Sequence, residues 1–397
     1  MCAIAALASC SQNEDTPAPS GSDAPEAKVT IQFAKSGAET RAIGTEDAVV
    51  NNLTVFFFNS SGALIKTPYS VPTNDLNTSI TLATTTDASQ VILVANTVTG
   101  TNFSSITNIT KLKEFIVSSL GTIAVDNYPI NQTATNLTMS GWGNITMNTT
   151  NNTGIASVQL HFIAAKIKTL KVSWGTKNQN HYADTEAALG NDKWFTIKQA
   201  YLMMAQTNST LIPSTATSTN WEGRFTPSTF AYAGGLPWGT PPWENAPVST
   251  NPVKATDYLK STIPASANNA VANILVNDQQ AATPWYVFEN NSANPTGVIL
   301  EIVCNITNDQ GTQEKKTKYF TMYFGEKKTG ETGTQAVIEG GKTYDINLTL
   351  NGSFDPAGGT GGGGTDDPTK PSVDAAVTVT VTPANWIANV VMNKEFN

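Results

Sequence analysis

The six residues at 28–33, KVTIQF, set the pattern from which this fold is read. Val29, Ile31 and Phe33 alternate with polar residues, and alternation over a short run is typical of a β-strand with one buried face. Near the other end of the chain, the run VTVTVT at 377–382 repeats the same order of apolar and polar residues. Both runs predict strands, and we expect each of them to lie at an end of the chain, outside the folded body.

Between these two runs lies a series of short apolar or alternating segments, separated by Asn, Gly and Pro. Many short strands with such turn residues between them predict a mainly β fold built of β-sandwiches. The segment SSITNITKLKEFIVSSL at 104–120 instead has apolar residues at helical spacing and predicts a helix. The clearest strand candidates are NLTVFFFN (52–59), QVILVAN (90–96), ASVQLHFIAAKIKTLKVSW (156–174), FTIKQAYLMMAQ (195–206), WYVFEN (285–290), GVILEIVCNI (297–306), KYFTMYF (318–324) and KTYDINLTLNG (342–352).

Composition excludes several classes of function. The 397 residues contain 23 Lys and Arg against 31 Asp and Glu, so the formal net charge is -8, and an acidic chain is a poor partner for nucleic acid. Two histidines and three cysteines without a CxxC pair argue against a zinc cluster. No apolar run reaches the ~18 residues that a membrane-spanning helix needs. We therefore expect no metal and no cofactor.

The N-terminal residues predict export as a lipoprotein. The run LASC at 7–10 fits a bacterial lipobox, in which Cys10 is lipidated and becomes the mature N-terminus. A polar Pro/Ser/Asp tether follows, which has too few apolar residues to pack. We expect the membrane to be contacted only through this lipid, at the outer membrane or cell surface.

The segment SGAETRAIGTED at 36–47 predicts a proteolytic site. It contains Arg41, one of two arginines in the chain, and a lone Arg in a flexible Gly/Thr segment is readily cleaved. Cutting between Arg41 and Ala42 would leave the strand at 28–33 held by non-covalent contacts alone. Its departure would open a groove that fits a strand of the V-x-V-x-V type.

The C-terminal strand is the candidate occupant of that groove. It follows a Gly/Pro-rich linker at 355–374 and has no hairpin partner nearby in sequence. We expect Val377, Val379 and Val381 of a second molecule to take the places of the three apolar residues at 28–33, which is strand addition in trans. The strand continues towards Trp386.

An ordered set of segments resembles the major fimbrial subunits (fimbrillins) of Bacteroidia, which build type V pili. The resemblance implies two transthyretin-like β-sandwich domains, lipoprotein export, cleavage by an Arg-specific cysteine proteinase, and polymerisation by donor-strand exchange with other fimbrial subunits to support adhesion to host or bacterial surface ligands. The matching segments are Thr40-Arg41-Ala42, NNLTVFFFNSSG (51–62), VILVANT (91–97), AAKIKTLKV (164–172), FTPSTFAYAGGLPW (225–238), WYVFENN (285–291), GGKTYDINLTLNG (340–352) and AAVTVTVTPANW (375–386).

These observations predict a division of the chain into six parts. They are a lipoprotein signal (1–10), a propeptide that carries the first strand (11–41), an N-terminal β-sandwich domain (42–175), a C-terminal β-sandwich domain (176–354), a flexible linker (355–374) and a donor strand (375–397).

Two alternatives to a shaft subunit stay open. One is an accessory, tip or anchor subunit of the same fimbria. The other is a glycan-binding surface lipoprotein that uses the tryptophan-rich loop at 220–245, although such a protein would have no use for the linker and the terminal strand. We do not expect an enzyme: Glu289 has no catalytic partner near it in sequence, and a structural hydrogen bond is its expected role.

Overall fold

The structure is a computed structural model of the chain. It describes residues 23–33, 50–71, 79–98, 100–117, 136–174, 195–203, 206, 209–213, 216–218, 260–262, 273–275, 284–290, 296–307, 313–323, 337–350 and 377–385. The predicted mainly β fold is confirmed. In the described residues, eighteen strands form three larger sheets and one two-stranded pair, and there is one short helix.

The first half of the chain forms one large sheet. Its strands have the order β3-β2-β5-β7-β8-β1-β4, and β9 pairs with β7. The elements of this half are β1 (Glu26–Phe33), β2 (Leu53–Asn59), β3 (Tyr69–Val71), β4 (Ser79–Thr85), β5 (Ala88–Ala95), α1 (Ile109–Lys113), β6 (Ile116–Val117), β7 (Met139–Asn148), β8 (Thr153–Val158) and β9 (His161–Phe162).

The second half contributes two four-stranded sheets, with the orders β14-β10-β17-β18 and β13-β11-β15-β16. Its strands are β10 (Ala164–Trp174), β11 (Phe195–Met203), β12 (Ser209–Thr210), β13 (Lys260–Thr262), β14 (Trp285–Phe288), β15 (Gly297–Thr307), β16 (Gln313–Tyr323), β17 (Lys342–Leu350) and β18 (Val377–Asn385).

The core of the first half surrounds β2 and β5. Phe56, Phe57 and Phe58 are consecutive and all buried, so both faces of β2 are covered, as a continuous apolar run indicates. The strand ends at Asn59, whose Oδ1 accepts hydrogen bonds from the backbone N–H groups of Ser61 and Ala63 at 3.1 and 3.0 Å. The Ser-Ser-Gly run at 60–62 therefore forms a turn.

The first sheet curls until its two ends meet. β3 and β4 are the end strands of the sheet order, and the hydroxyl of Tyr69 on β3 donates to the carbonyl of Ala83 on β4. The Tyr69 ring also meets Phe57 edge-on, with 6.0 Å between centroids. This contact ties the last strand of the sheet, β4, to the first.

The helix predicted over 104–120 is much shorter in the structure. It spans five residues, with the side chain of Asn108 capping the N–H of Lys111 at 2.8 Å. After it, β6 pairs with β12 from the second half of the chain. The apolar residues at 115–117 thus serve a long-range strand contact that their helical spacing did not indicate.

The long run at 156–174 divides between the two halves. Its beginning lies in β8 of the first sheet, whereas β10 pairs with β14 and β17. The division of the chain that we predicted at 175 and 176 groups β10 with the first half, but its strand partners all come from residues after 176.

Neither terminal strand lies outside the folded body, which corrects the prediction from sequence. β1 is an interior strand of the first sheet. β18, expected to have no partner nearby, pairs antiparallel with β17 of its own chain along its nine residues. The sequence does not indicate this pairing, because the linker at 355–374 separates β17 from β18.

Candidate assembly site

β1 fills a slot between two strands that do not pair with each other. It is antiparallel to β4 and parallel to β8, so both of its edges carry a ladder of backbone hydrogen bonds. Thr86 N–H donates to the Pro25 carbonyl at 2.8 Å, and Lys28 N–H donates to the Asn152 carbonyl at 3.0 Å. The slot is defined here as the space that β1 occupies between β4 and β8.

One face of β1 belongs to the hydrophobic core. Val29 and Ile31 have 0% of their surface exposed, and Ala27 is also buried, whereas Lys28 and Gln32 are exposed. The alternation predicted from the sequence is confirmed for these residues. Phe33 lies in the strand opposite Val158, but its side chain is outside the description.

The outer face of β1 is more exposed to solvent. The hydroxyls of Thr30 and Thr81 lie 3.0 Å apart across the antiparallel pair with β4, in an exposed position. Because apolar burial dominates strand docking, Val29 and Ile31 contribute most among the described side chains of β1 to the free energy that holds this strand. Burying each of these side chains contributes about 1.5–3 kcal/mol.

The pKa of Tyr69 depends on the presence of β1. Burial raises the pKa of its phenol above the usual value, and the carboxylate of Glu26 on β1 raises the pKa further. The same phenol holds β4 through Ala83. Among described residues β4 pairs with β1 alone, so the Tyr69 hydroxyl is a tie to β4 that does not depend on β1.

β18 occupies a different kind of place. Val377, Val379 and Val381 lie opposite Leu350, Leu348 and Ile346 of β17, and of these β17 residues the last two are buried. In the described part of its sheet β18 pairs on one edge only. It is therefore held by half as many strand neighbours as β1.

Several predicted positions lie outside the described residues. They are Cys10, Arg41, Ala42 and Trp386, together with the linker and the tryptophan-rich loop at 220–245. Lipidation, cleavage and the role of that loop stay predictions.

Glu289 accepts a hydrogen bond within the protein, which is the role that we expected for it. It is 1% exposed and directly follows β14, and its Oε2 accepts from the Gly340 N–H at 3.5 Å.

Among the residues that the structure describes, no group of three His, Cys, Asp or Glu side chains is placed to hold a metal. No helix in the same part of the chain has the length and apolarity to cross a membrane.

The curled β-sheets and the interior N-terminal strand define a mainly β fold, and comparisons with known proteins identify the family of the chain. Residues 27–185 match the model of the major fimbrial subunit protein (FimA) family. Residues 248–386 match the model of the C-terminal domain of FimA-like major fimbrial subunit proteins. The chain belongs to this fimbrillin family of Bacteroidia, as the resemblance of its segments predicted.

Solved structures share the architecture. A candidate cell adhesion protein from Bacteroides eggerthii DSM 20697 is 26% identical, with a TM-score of 0.58 over 92% of this chain and 97% of the other. A second candidate cell adhesion protein, from Parabacteroides distasonis ATCC 8503, is 18% identical, with a TM-score of 0.56 over 91% of this chain and 100% of the other. No curated protein sequence matches the chain.

Family membership establishes the coarse function. The chain is a fimbrial subunit, so its place is the cell-surface fimbria and its partners include other subunits. The families and neighbours that it matches are structural fimbrial or adhesion proteins and not enzymes.

Proposed function

We propose that this chain is a shaft subunit that polymerises by exchanging β1 for the C-terminal segment of a second copy. It is exported as a lipoprotein on Cys10, reaches the outer membrane and is then cleaved between Arg41 and Ala42 by an Arg-specific protease. Loss of β1 opens the slot, and residues 375–397 of the next copy fill it. The resulting fimbria supports adhesion to surface ligands.

The position of β1 carries this proposal. An N-terminal strand that precedes the proposed cleavage site fills the interior of a sheet, with Ala27, Val29 and Ile31 buried. Removing it would expose two strand edges and an apolar trough at once, and exposed edges of this kind recruit another strand. Residues 377–381 of β18 match residues 29–33 of β1 position by position in polarity.

Head-to-tail geometry gives the product its form. Each copy has one acceptor slot in its first half and one donor segment at its C-terminus, and these two surfaces are unlike. Unlike surfaces that join copies without closing a ring produce an open filament.

Arg41→Ala tests this proposal. The variant chain should fold, stay uncut at this position and fail to form a ladder of multimers on gels when the protease is added. Arg224→Ala removes the other arginine of the chain and is the matched control, which should polymerise normally. Polymerisation of Arg41→Ala with residues 28–33 still present in the fibre would contradict the proposal.

A further inference from the structure

The wall of the slot formed by β8 has side chains of graded size. Gly154, Ala156 and Val158 are buried on the core face of this strand. In the parallel register they lie beside Val29, Ile31 and Phe33, respectively. The side chain on this wall is therefore smallest beside Val29, and it becomes larger towards Phe33.

Gly154 lacks a side chain for a reason of space and not of backbone conformation. Its φ is not among the positive values of the described glycines, so other residues could adopt its conformation. A Cβ atom built there would lie 3.0 Å from Val29 Cγ2, 3.0 Å from Ile145 Cγ2 and 3.2 Å from Met147 Cε. The strand in the slot therefore fills part of the space that a Gly154 side chain would need.

Two other glycines of the sheet show the contrast. A Cβ at Gly141 would lie 2.2 Å from the Gln159 carbonyl oxygen, and one at Gly143 would lie 2.5 Å from the Ser157 carbonyl oxygen. Both are limited by the backbone of their own domain. At Gly154 the contacts are side-chain methyl groups, and one of them belongs to β1, the strand that the proposed function removes.

A repeating V-x-V-x-V strand needs such a feature to choose its register. Shifting it by two residues keeps every valine on the core face, so polarity alone does not distinguish the possible registers. In one shifted register, Ala375 of the donor would replace Val377 beside Gly154. In the opposite shift, Pro383 would take the place of Phe33, and proline cannot donate a hydrogen bond to the ladder.

We infer that Gly154 selects the register of the incoming strand by receiving the side chain of Val377 from a second copy of this chain. Val379 and Val381 then take the places of Ile31 and Phe33. This inference rests on the proposed function and adds to it the residue that determines which donor positions are read.

The first arm of the test uses the uncut chain. Gly154→Ala and Val29→Ala should each lower the urea midpoint of unfolding. The double variant should lose less than the sum of the two, because the added methyl group occupies the space that valine vacates. Ile155→Ala is the matched control: this neighbour is 56% exposed on the other face of β8, and its change should leave the midpoint unaltered.

The second arm uses cleaved subunits and size exchange between two copies. Acceptors with Gly154→Ala, freed of the cleaved β1 peptide before mixing so that its departure no longer affects the rate, should extend ladders several-fold more slowly with a wild-type donor. A donor with Val377→Ala should restore the rate, and donors with Val379→Ala or Val381→Ala should not.

The outcomes separate the inference from the proposed function. If wild-type subunits form no ladder, the proposed function fails and the inference falls with it. If wild-type ladders form but Gly154→Ala acceptors extend at the same rate, or if Val379→Ala restores the rate instead of Val377→Ala, the inference alone is overturned. Additive loss of stability in the first arm also contradicts it.

Discussion

β1 and β18 have the same alternation but are held in different ways. β1 has a strand neighbour on each edge, β4 and β8, whereas β18 pairs with β17 along one edge in the described part of its sheet. A strand that moves from the position of β18 to that of β1 gains a second hydrogen-bonded ladder. The slot is therefore the stronger site for a V-x-V strand.

The same comparison explains why cleavage must come first. β1 places Ile31 where the donor has Val379, and replacing isoleucine by valine in a packed site costs about 0.5–1.5 kcal/mol. As long as β1 is covalently attached, its effective concentration at the slot also far exceeds that of a second copy. Cleavage removes this advantage, after which the long donor segment competes with a short free peptide.

The largest effect is expected from a charge on the core face of the donor. Val379→Asp would bring a carboxylate into an apolar slot, which costs several kcal/mol unless it is paired or neutralised. We expect this variant to be cleaved normally and to form almost no multimers. Thr380→Asp is the matched control, because a side chain of the other parity can stay in water.

Gel ladders from cleaved mixtures measure this difference. Equal polymerisation of the two aspartate variants, or a stronger defect from Thr380→Asp, would show that the valines do not enter the slot.

A smaller effect concerns the strength with which β1 itself is held. Ile31→Ala removes a fully buried side chain and should lower the free energy of unfolding of the uncut chain by about 2–5 kcal/mol. Gln32→Ala, at the exposed neighbour, should change it by about 0.5 kcal/mol or less. Urea unfolding followed by fluorescence provides both values.

After cleavage the order of assembly rates should be reversed relative to stability. Weaker retention of β1 should let it leave sooner, so cleaved Ile31→Ala subunits are expected to polymerise faster than wild type. Slower assembly of this variant would contradict the view that β1 and the donor compete for one slot.

The smallest effect is spectroscopic. The Glu26 carboxylate on β1 contributes to the raised pKa of Tyr69, so departure of β1 should shift the pKa of this phenol downward towards its ordinary value. The difference in tyrosinate absorbance between wild type and Tyr69→Phe isolates this one phenol. The uncut Glu26→Gln variant should show a downward shift as well, and an unchanged Tyr69 pKa in this variant would contradict the contribution of the Glu26 carboxylate.

Local patterns in the sequence predicted most strands but not their partners. β2, β5 and β17 begin and end within two residues of the predicted runs, because alternation and continuous apolar runs are local properties. The predicted boundary grouped β10 with the first half of the chain, and β18 was expected to have no partner nearby. Their partners lie across long loops or the linker, and a pairing of that kind leaves no trace in a single sequence.

The candidate site, like the fold, was only partly predictable from the sequence. The buried parity of Val29 and Ile31 followed from alternation. Three other features could be seen only in the structure. They are the mixed pairing of β1 with β4 and β8, the hydrogen bond from Tyr69 to β4, and the space beside Gly154. Gly154 follows an Asn-rich turn in the sequence, so it reads there as one more turn residue and not as part of a core-facing wall.

The most direct test of the account joins two copies covalently in the assembled fibre. Thr81 faces Thr30 of β1 on the outer face of the slot, and the proposed register brings Thr378 of the donor to the place of Thr30. Thr81→Cys acceptors are mixed with Thr378→Cys or Thr380→Cys donors, each in a Cys304→Ala background, then cleaved and oxidised. The account predicts a disulfide-linked dimer of two copies with Thr378→Cys and far less with Thr380→Cys. Fibres that form normally without an intermolecular disulfide from either donor would contradict it.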